Sequence, residues 1–454
     1  MKKTFALLSA ALMIAACSTK KEETKDIVLV TLDPGHFHAA LVQKSQYPQV
    51  SNDVYVYAPD GTDLDEHLKK IEAYNTRTEE PTAWNEVVYR GDDFLQKMLE
   101  EKKGNVMVTA GNNAKKVDYI KQTLEAGINV LADKPMAINA DGFKTLQECF
   151  DIAAKNNVLL YDIMTERFEI STILQRELSM IPEIYGEQQK GSPEEPAITK
   201  ESVHHFYKNV SGKPLTRPDW FYDVTQQGEG IADVMVHLVD LVQWEAFPEQ
   251  VIDYSNDIDI TSARHWSTPI CKSQFKASTG MDEFPEFLQK DVTDDTLQVY
   301  SNGEINYALK GVNAKVVVTW AFEAPEGGGD THYSIMRGSL ANLIIRQGEQ
   351  QNYRPELYIE PAGENGEAYA EQLEKSFAAI TDKYPGVTLE KDEAGWHVCI
   401  PDSYRVGHEA HFGQVTRNFL QYMTDGKLPD WETPNMIAKY YTTTQAWKMA
   451  QEEK

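Results

Sequence analysis

The sequence is poor in cysteine, in positive charge and in long apolar runs, and each shortage excludes something. There are only 4 cysteines in 454 residues, which is no disulfide framework. Cys149, Cys271 and Cys399 lie in the body of the chain. At most one bridge can form among them, and their spacing does not choose a pair. No Cys/His spacing resembles a zinc site, so no metal is expected. Lys and Arg number 44 against 70 Asp and Glu, for a formal net charge of −26. So acidic a chain is a poor partner for nucleic acid or an anionic membrane face, while neutral, hydroxyl-rich ligands remain compatible with it. Beyond the first residues no apolar run is long enough to cross a bilayer. Internal repeats and low-complexity tracts are absent. With 41% hydrophobic and 25% charged residues, the chain can bury a large core, and its length suggests two or three domains.

Residues 1–17 read as a targeting segment. Lys2 and Lys3 form a positive start, and Thr4 to Ala16 is an apolar run too short to span a membrane. It ends in Ile14-Ala15-Ala16-Cys17, which resembles the lipobox of bacterial lipoproteins. That resemblance implies acylation of Cys17 and a cell-envelope protein facing the periplasm or the cell surface. Residues 18–26 are polar enough to be a tether.

The most informative stretch runs from Gly104 to Asn139. Asn105 to Ala110 is a short apolar run closed by Gly111 and Asn112, as expected for a buried strand feeding a turn. A helix follows, apolar at Val117, Ile120 and Leu124 and stopped by Gly127. Ile128 to Ala132 is a second strand, ending in Asp133-Lys134-Pro135. Strand, helix and strand make a βαβ unit, which binds ligands beyond the carboxyl ends of its strands. Pro135 restricts the backbone around Lys134.

Asp133-Lys134-Pro135 after Ala126-Gly127-Ile128-Asn129-Val130-Leu131-Ala132 resembles the Glu-Lys-Pro signature of the Gfo/Idh/MocA oxidoreductases. A second stretch carries the same likeness: a glycine-rich turn at Gly228 and Gly230, then Asp233, His237 and Asp240. The resemblance implies an α/β protein with two domains. The first, at 27–163, is a Rossmann-type parallel sheet that binds NAD. The second, at 164–454, is an α+β domain with a large, mainly antiparallel open sheet, a frequent homo-oligomer contact. A segment near 365–405 looks added to the minimal family.

Other residues fit that frame unevenly. Ile27 to Leu32 is a good first strand, but a Gly-x-Gly-x-x-Gly/Ala turn would fall on Asp33, Gly35 and His38, and only the middle glycine is present. Gly35, His36 and His38 are the candidates for phosphate or ligand contact. Asp60 follows the second strand at the spacing of a ribose-binding acid, favouring NAD over NADP. Gly111, Asn112, Asp133 and Lys134 complete the expected cofactor set. Arg167, in the crossing to the second domain, and Trp220 and Tyr222 are expected at the substrate. Asp233 and His237, one helical turn apart, are expected as a carboxylate–imidazole pair in which the carboxylate raises the imidazole pKa. The apolar residues around them equally describe a buried helix. Pro325 to Asp330 reads as a plain loop, and His408 with His411 as a solvated helix face.

The implied function is NAD-dependent oxidation of a sugar or glycoside hydroxyl, C3 among the candidates, with Lys134 and His237 as acid and base. Two alternatives stay open: a glycosidase using tightly bound NAD in an oxidation, elimination and reduction cycle, and a glycan-binding lipoprotein without catalysis. Replacing Cys17 with Ser should abolish incorporation of labelled palmitate and release the chain from membranes. A Cys17→Ser protein that stays lipid-labelled would refute the anchor.

Overall fold

The computed structural model describes residues 26–210, 213–363 and 367–452. Cys17 and the targeting segment lie outside them. Six strands form the first sheet: β1 Leu29–Leu32, β2 Asp53–Ala58, β3 Asn85–Arg90, β4 Val106–Thr109, β5 Asn129–Asp133 and β6 Leu160–Ile163. All neighbours are parallel, in the order β3-β2-β1-β4-β5-β6. β1, β4 and β6 are buried at every residue, because helices cover both faces of such a sheet. Those helices are α1 His38–Val42, α2 Thr62–Thr76, α3 Phe94–Glu101, α4 Asn113–Glu125 and α5 Ala140–Asn156. The Asn112 side chain caps α4 by accepting from the Ala114 amide, and Asn139 caps α5 through Gly142. Strand order reverses between β1 and β4, so a ligand crevice opens outside their carboxyl ends.

The second sheet has ten strands, built around Ile198–Tyr207 and the long hairpin Thr296–Leu309 with Val312–Glu323. Lys310 and Gly311, both at positive φ, make the hairpin's two-residue turn. Only Ile198–Tyr207 and Val312–Glu323 pair in parallel; the other neighbours are antiparallel. The helices Ile170–Ser179, Met235–Ala246 and Glu432–Glu452 pack on this sheet through Leu174, Leu178, Leu238, Val242 and Ala446. The segment near 365–405 holds the helices Glu367–Ser376 and Ala378–Lys383. Its strands Thr388–Lys391 and Trp396–Cys399 extend one sheet edge. Cys149, Cys271 and Cys399 are free thiols.

The chain finally returns to its first domain. Phe412, Val415 and Phe419 of the helix His408–Asp425, with Met436 and Tyr440 of the last helix, join the core around β6. An ion network lies at that junction. Asp162 of β6 meets Lys439 Nζ at 2.9 Å and accepts from the Tyr440 hydroxyl. Lys439 also pairs with Asp240 at 2.8 Å. Asp240 takes a two-pronged bond from Arg167, Nε at 2.6 Å and Nη2 at 2.7 Å, and Arg167 reaches Glu432 at 2.6 Å. Arg167 is therefore a buried strut between domains, a correction to its expected place at the substrate. Asp240, too, is spent here and not on His237.

Replacing Arg167 with Met takes from buried Glu432 its only cation among the described residues, and one of two from Asp240, which keeps Lys439, and costs about 3–5 kcal/mol. Urea unfolding should show that loss. A change under about 1 kcal/mol would mean that the network is solvated and of little weight.

Candidate active site

A cleft of about 1370 Å³ opens between the carboxyl ends of β1, β4 and β5 and the second domain. Seven of the 11 histidines line it: His36, His38, His204, His237, His332, His408 and His411. Lys134 stands at its floor. The Lys134–Pro135 peptide is cis. Beneath it Lys116, fully buried, donates to the Asp133 carbonyl at 3.0 Å, the Pro135 carbonyl at 3.2 Å and Asn113 Oδ1 at 2.5 Å. Desolvation lowers the Lys116 pKa to about 8. Lys116 pins the backbone that carries Asp133 and Lys134. Nothing in its sequence context marks it, because its partners come together only in the fold.

Lys134 Nζ donates to Asp233 Oδ1 at 2.6 Å, and Asp233 Oδ2 accepts from Gln227 at 2.9 Å. The lysine's partner is thus Asp233. Asp233 and His237 are not a hydrogen-bonded pair: the helix begins only at Met235, and Asp233 sits in the turn before it. His237 Nδ1 is buried without a partner. Burial first, then the nearby Lys134 charge, holds the His237 pKa well below the usual histidine range. The expected rise is therefore reversed, and His237 is a neutral imidazole facing the cleft.

The second domain supplies more than the sequence suggested. His408 and His411 line the cleft, and His411 is buried. Asp330, at the end of the Gly-rich loop, accepts from the His205 amide and pairs with His204 at 3.2 Å and with Lys208. Burial would raise the Asp330 pKa, but these donors hold it far below the ordinary carboxylate range. Burial pushes Glu166 up to about 7, with Glu169 adding to the effect. The aromatic residues that line the cleft are Phe37, Tyr207, Phe221 and Trp320. Trp220 and Tyr222, one position either side of Phe221, turn elsewhere: Tyr222 packs inside the second domain and bonds Ser278 at 2.5 Å.

The β1–α1 turn is arranged unusually. Asp33 takes the left-handed backbone, φ 46°, that a motif glycine would take. The amides of Asp33, Gly35 and His36 donate to the carbonyls of Tyr57, Asp33 and Ala110. A Cβ placed on Gly35 would meet Asp63 Oδ2 at 3.1 Å and the Trp220 ring at 3.2 Å. Trp220 Nε1 bonds that same Asp63. Burial raises the pKa of both Asp33 and Asp63. Asp60 is an exposed residue paired with Arg90 at 2.7 Å, outside the cleft lining. Gly111 packs against the Asp33 carbonyl, and the Asn112 amide donates to Gln226.

Two family models match. The "Putative oxidoreductase C terminal domain" covers residues 174–451, and "Oxidoreductase family, NAD-binding Rossmann fold" covers 57–161. The chain belongs to the Gfo/Idh/MocA oxidoreductase family. A crystal structure from Parabacteroides merdae ATCC 43184, described as a "putative oxidoreductase", is 64% identical with a TM-score of 0.94, covering 95% of this chain and 99% of that one. Levoglucosan dehydrogenase in complex with NADH shares the fold at 11% identity and TM-score 0.60, covering 94% and 97%. GenD2 from gentamicin A biosynthesis, in complex with NAD, does so at 14% and 0.54, covering 95% and 96%. No curated protein matches.

The fold is thus that of an NAD-binding oxidoreductase family, but the turn that would cradle the pyrophosphate does not fit it in this chain. Such a cradle needs free amides and an open middle glycine. Here the amides of Asp33, Gly35 and His36 are used internally, leaving those of Phe37 and His38 at the start of α1 without a backbone partner among the described residues, and the Trp220 ring and the Asp63 carboxyl lie against the glycine. The Rossmann match begins at residue 57, beyond this turn.

The buried imidazoles make stability depend on pH. Burial lowers His67 and His332 to about 3 and His411 to about 4. Unfolded histidine titrates at about 6.5, so the unfolded chain binds these protons more tightly. The stability is complete above about pH 6.5 and is lost as pH falls through that value towards 4. Melting temperature should hold level from about pH 8 to 7 and decline steadily by about pH 5; a flat profile would contradict buried neutral rings.

Proposed function

We propose that the cleft is the active site of an enzyme acting on a carbohydrate or glycoside, with Lys134 and His237 handling protons. The observation that carries this is the Lys134–Asp233 pair, 2.6 Å long, with side chains 12% and 6% exposed, at the floor of the histidine-lined cleft. An ammonium held by one carboxylate keeps N–H groups for a ligand oxygen and loses its excess charge. The neutral imidazole of His237 can take a proton. An imidazole kept neutral by burial and an ammonium beside it can serve as base and acid. Trp320 and Phe221 offer ring faces for a sugar. A volume above the usual 300–1,000 Å³ of small-ligand sites suits a glycoside better than a monosaccharide.

The occupied turn favours proton-transfer chemistry on a keto-glycoside. His237 removes the proton from the carbon beside the carbonyl. The Lys134 ammonium holds the oxygen on which charge develops. The carbanion's electron pair forms a C=C bond conjugated with the carbonyl as the glycosidic oxygen on the next carbon departs with its own pair. That oxygen takes a proton, for which Glu166, with its pKa raised to about 7, is the cleft's carboxylic acid. Nothing is oxidised or reduced overall. The second reading is oxidation of a sugar hydroxyl with NAD. The Rossmann fold and neighbours in complex with NAD or NADH favour it.

One preparation separates the two. Purified protein is denatured and assayed for released NAD, and native protein is given glycosides and keto-glycosides without added cofactor. Cleavage of the keto-glycoside with no dinucleotide released is the expected result. Bound NAD, with conversion of the glycoside to its keto form, would establish the redox reading instead. Lys134→Ala should lower turnover by at least about 100-fold at a temperature where the variant is still folded, although losing the buried pair with Asp233 lowers its melting temperature. No turnover of either substrate class would leave a binding protein and refute both forms.

A further inference from the structure

His36, His38 and Asp133 bring their ligand atoms within 4.8 Å of one another at the cleft floor. His38 Nδ1 lies 3.0 Å from Asp133 Oδ2, and His36 Nδ1 lies 3.7 Å from the same oxygen. The two rings stand edge to face, centroids 4.1 Å apart. Ligand atoms around one tetrahedral zinc, bonded at about 2.0–2.1 Å, sit roughly 3.3 Å apart, and the two measured distances bracket that value. His36 Nδ1 is buried and accepts or donates no hydrogen bond. Asp133 is 4% exposed, and among the described residues its carboxylate has no hydrogen-bond donor other than His38. A buried carboxylate facing an unpartnered ring nitrogen is expensive, and an ion between them would satisfy both.

We propose that His36, His38 and Asp133 bind a divalent first-row transition-metal ion, with its remaining positions open to the cleft. Two imidazoles and one carboxylate are a nitrogen and oxygen set suited to zinc, iron(II), cobalt or manganese. Three protein ligands leave room for a water or a ligand oxygen, the arrangement of catalytic and not structural zinc. The ion would act as a Lewis acid on a carbonyl or hydroxyl oxygen of the bound ligand. That role rests on the cleft being the active site; the binding itself does not. His36 and His38 stand out in the sequence as ligand candidates but not as metal ligands, because the third ligand comes from 95 residues away.

The purified protein is stripped with a chelator and titrated with zinc and with cobalt(II), following heat and the cobalt absorption spectrum. One equivalent per chain is expected, with a cobalt spectrum free of thiolate charge-transfer bands. His38→Ala and Asp133→Asn should weaken binding by at least about 100-fold, beyond the 10–100-fold typical of outer-shell partners. His36→Gln serves should either variant fail to fold by circular dichroism. Cys399→Ser should leave binding unchanged, since Glu390, His397 and Cys399 form the other cluster able to hold an ion among the described residues. No stoichiometric binding, equal binding in the His36, His38 and Asp133 variants, or a thiolate band lost in Cys399→Ser would each overturn the proposal. The readout is the ion and not turnover. Turnover by a protein that binds no ion in the titration overturns this inference alone, and a bound ion without turnover leaves it standing.

Discussion

The buried ion network at the domain junction holds the cleft in shape. Arg167, Asp240, Lys439, Asp162 and Glu432 come from four separate elements, and each is at most 7% exposed. Charges taken that far out of water are tolerated only when each finds its partners in good geometry. The network therefore sets one relative position for β6, the crossing segment, the helix Met235–Ala246 and the last helix. Asp233 and His237 precede and open that helix. Fixing Asp240 one turn beyond His237 fixes where the imidazole enters the cleft. A hydrophobic junction of equal area would hold the domains together with less control over register.

The cleft itself is governed by desolvation. Its histidines are kept neutral because burial disfavours their charged forms and Lys134, Lys208 and Arg217 stand near. Its carboxylates divide. Asp330, surrounded by donors, stays firmly ionised, whereas Glu166, beside Glu169, is pushed towards neutrality. One acidic protein thus presents bases, an ammonium and a carboxylic acid within one cavity, each set by its neighbours and not by its type.

Much of this was legible in the sequence, for reasons that also explain the remainder. The βαβ unit from Gly104 to Asn139 could be read because its apolar periods, Gly127 and Pro135 are all local signals. Lys134 at the strand end followed from that unit. The pairing of Lys134 with Asp233 did not, since it depends on how the glycine turn between the short helix Val224–Gln227 and Met235 places the carboxylate. Trp220 and Tyr222 were reasonable aromatic candidates, yet Phe221 between them faces the cleft; a short 3₁₀ turn over Asp219–Tyr222 rotates neighbours to different sides. Arg167 pointed inward because the acids it meets, Asp240 and Glu432, lie far along the chain. Asp330 and His411 escaped for the same reason: a loop or a helix start has no period from which burial can be inferred.

The β1–α1 turn shows how a fold can keep a site's position while changing its chemistry. In the glycine-rich form of this turn, free amides and a helix start present partial positive charge, and an anion binds. In this chain the same crevice carries Asp33 and Asp63, with the amides of Asp33, Gly35 and His36 turned inward and an indole over the remaining glycine. One and three residues past that glycine, His36 and His38 face Asp133 from β5. Donors have been exchanged for acceptors, an arrangement less suited to phosphate than the glycine-rich form. Lys134 is unaffected by the exchange, because its place depends on β5, Lys116 and Asp233 and owes nothing to the turn. That independence explains how the lysine signature of the family persists beside a turn that has lost its phosphate geometry. On the β5 side of the cleft, the ammonium of Lys134, the carboxylate of Asp233 and the imidazole of His237 therefore come together without help from that turn.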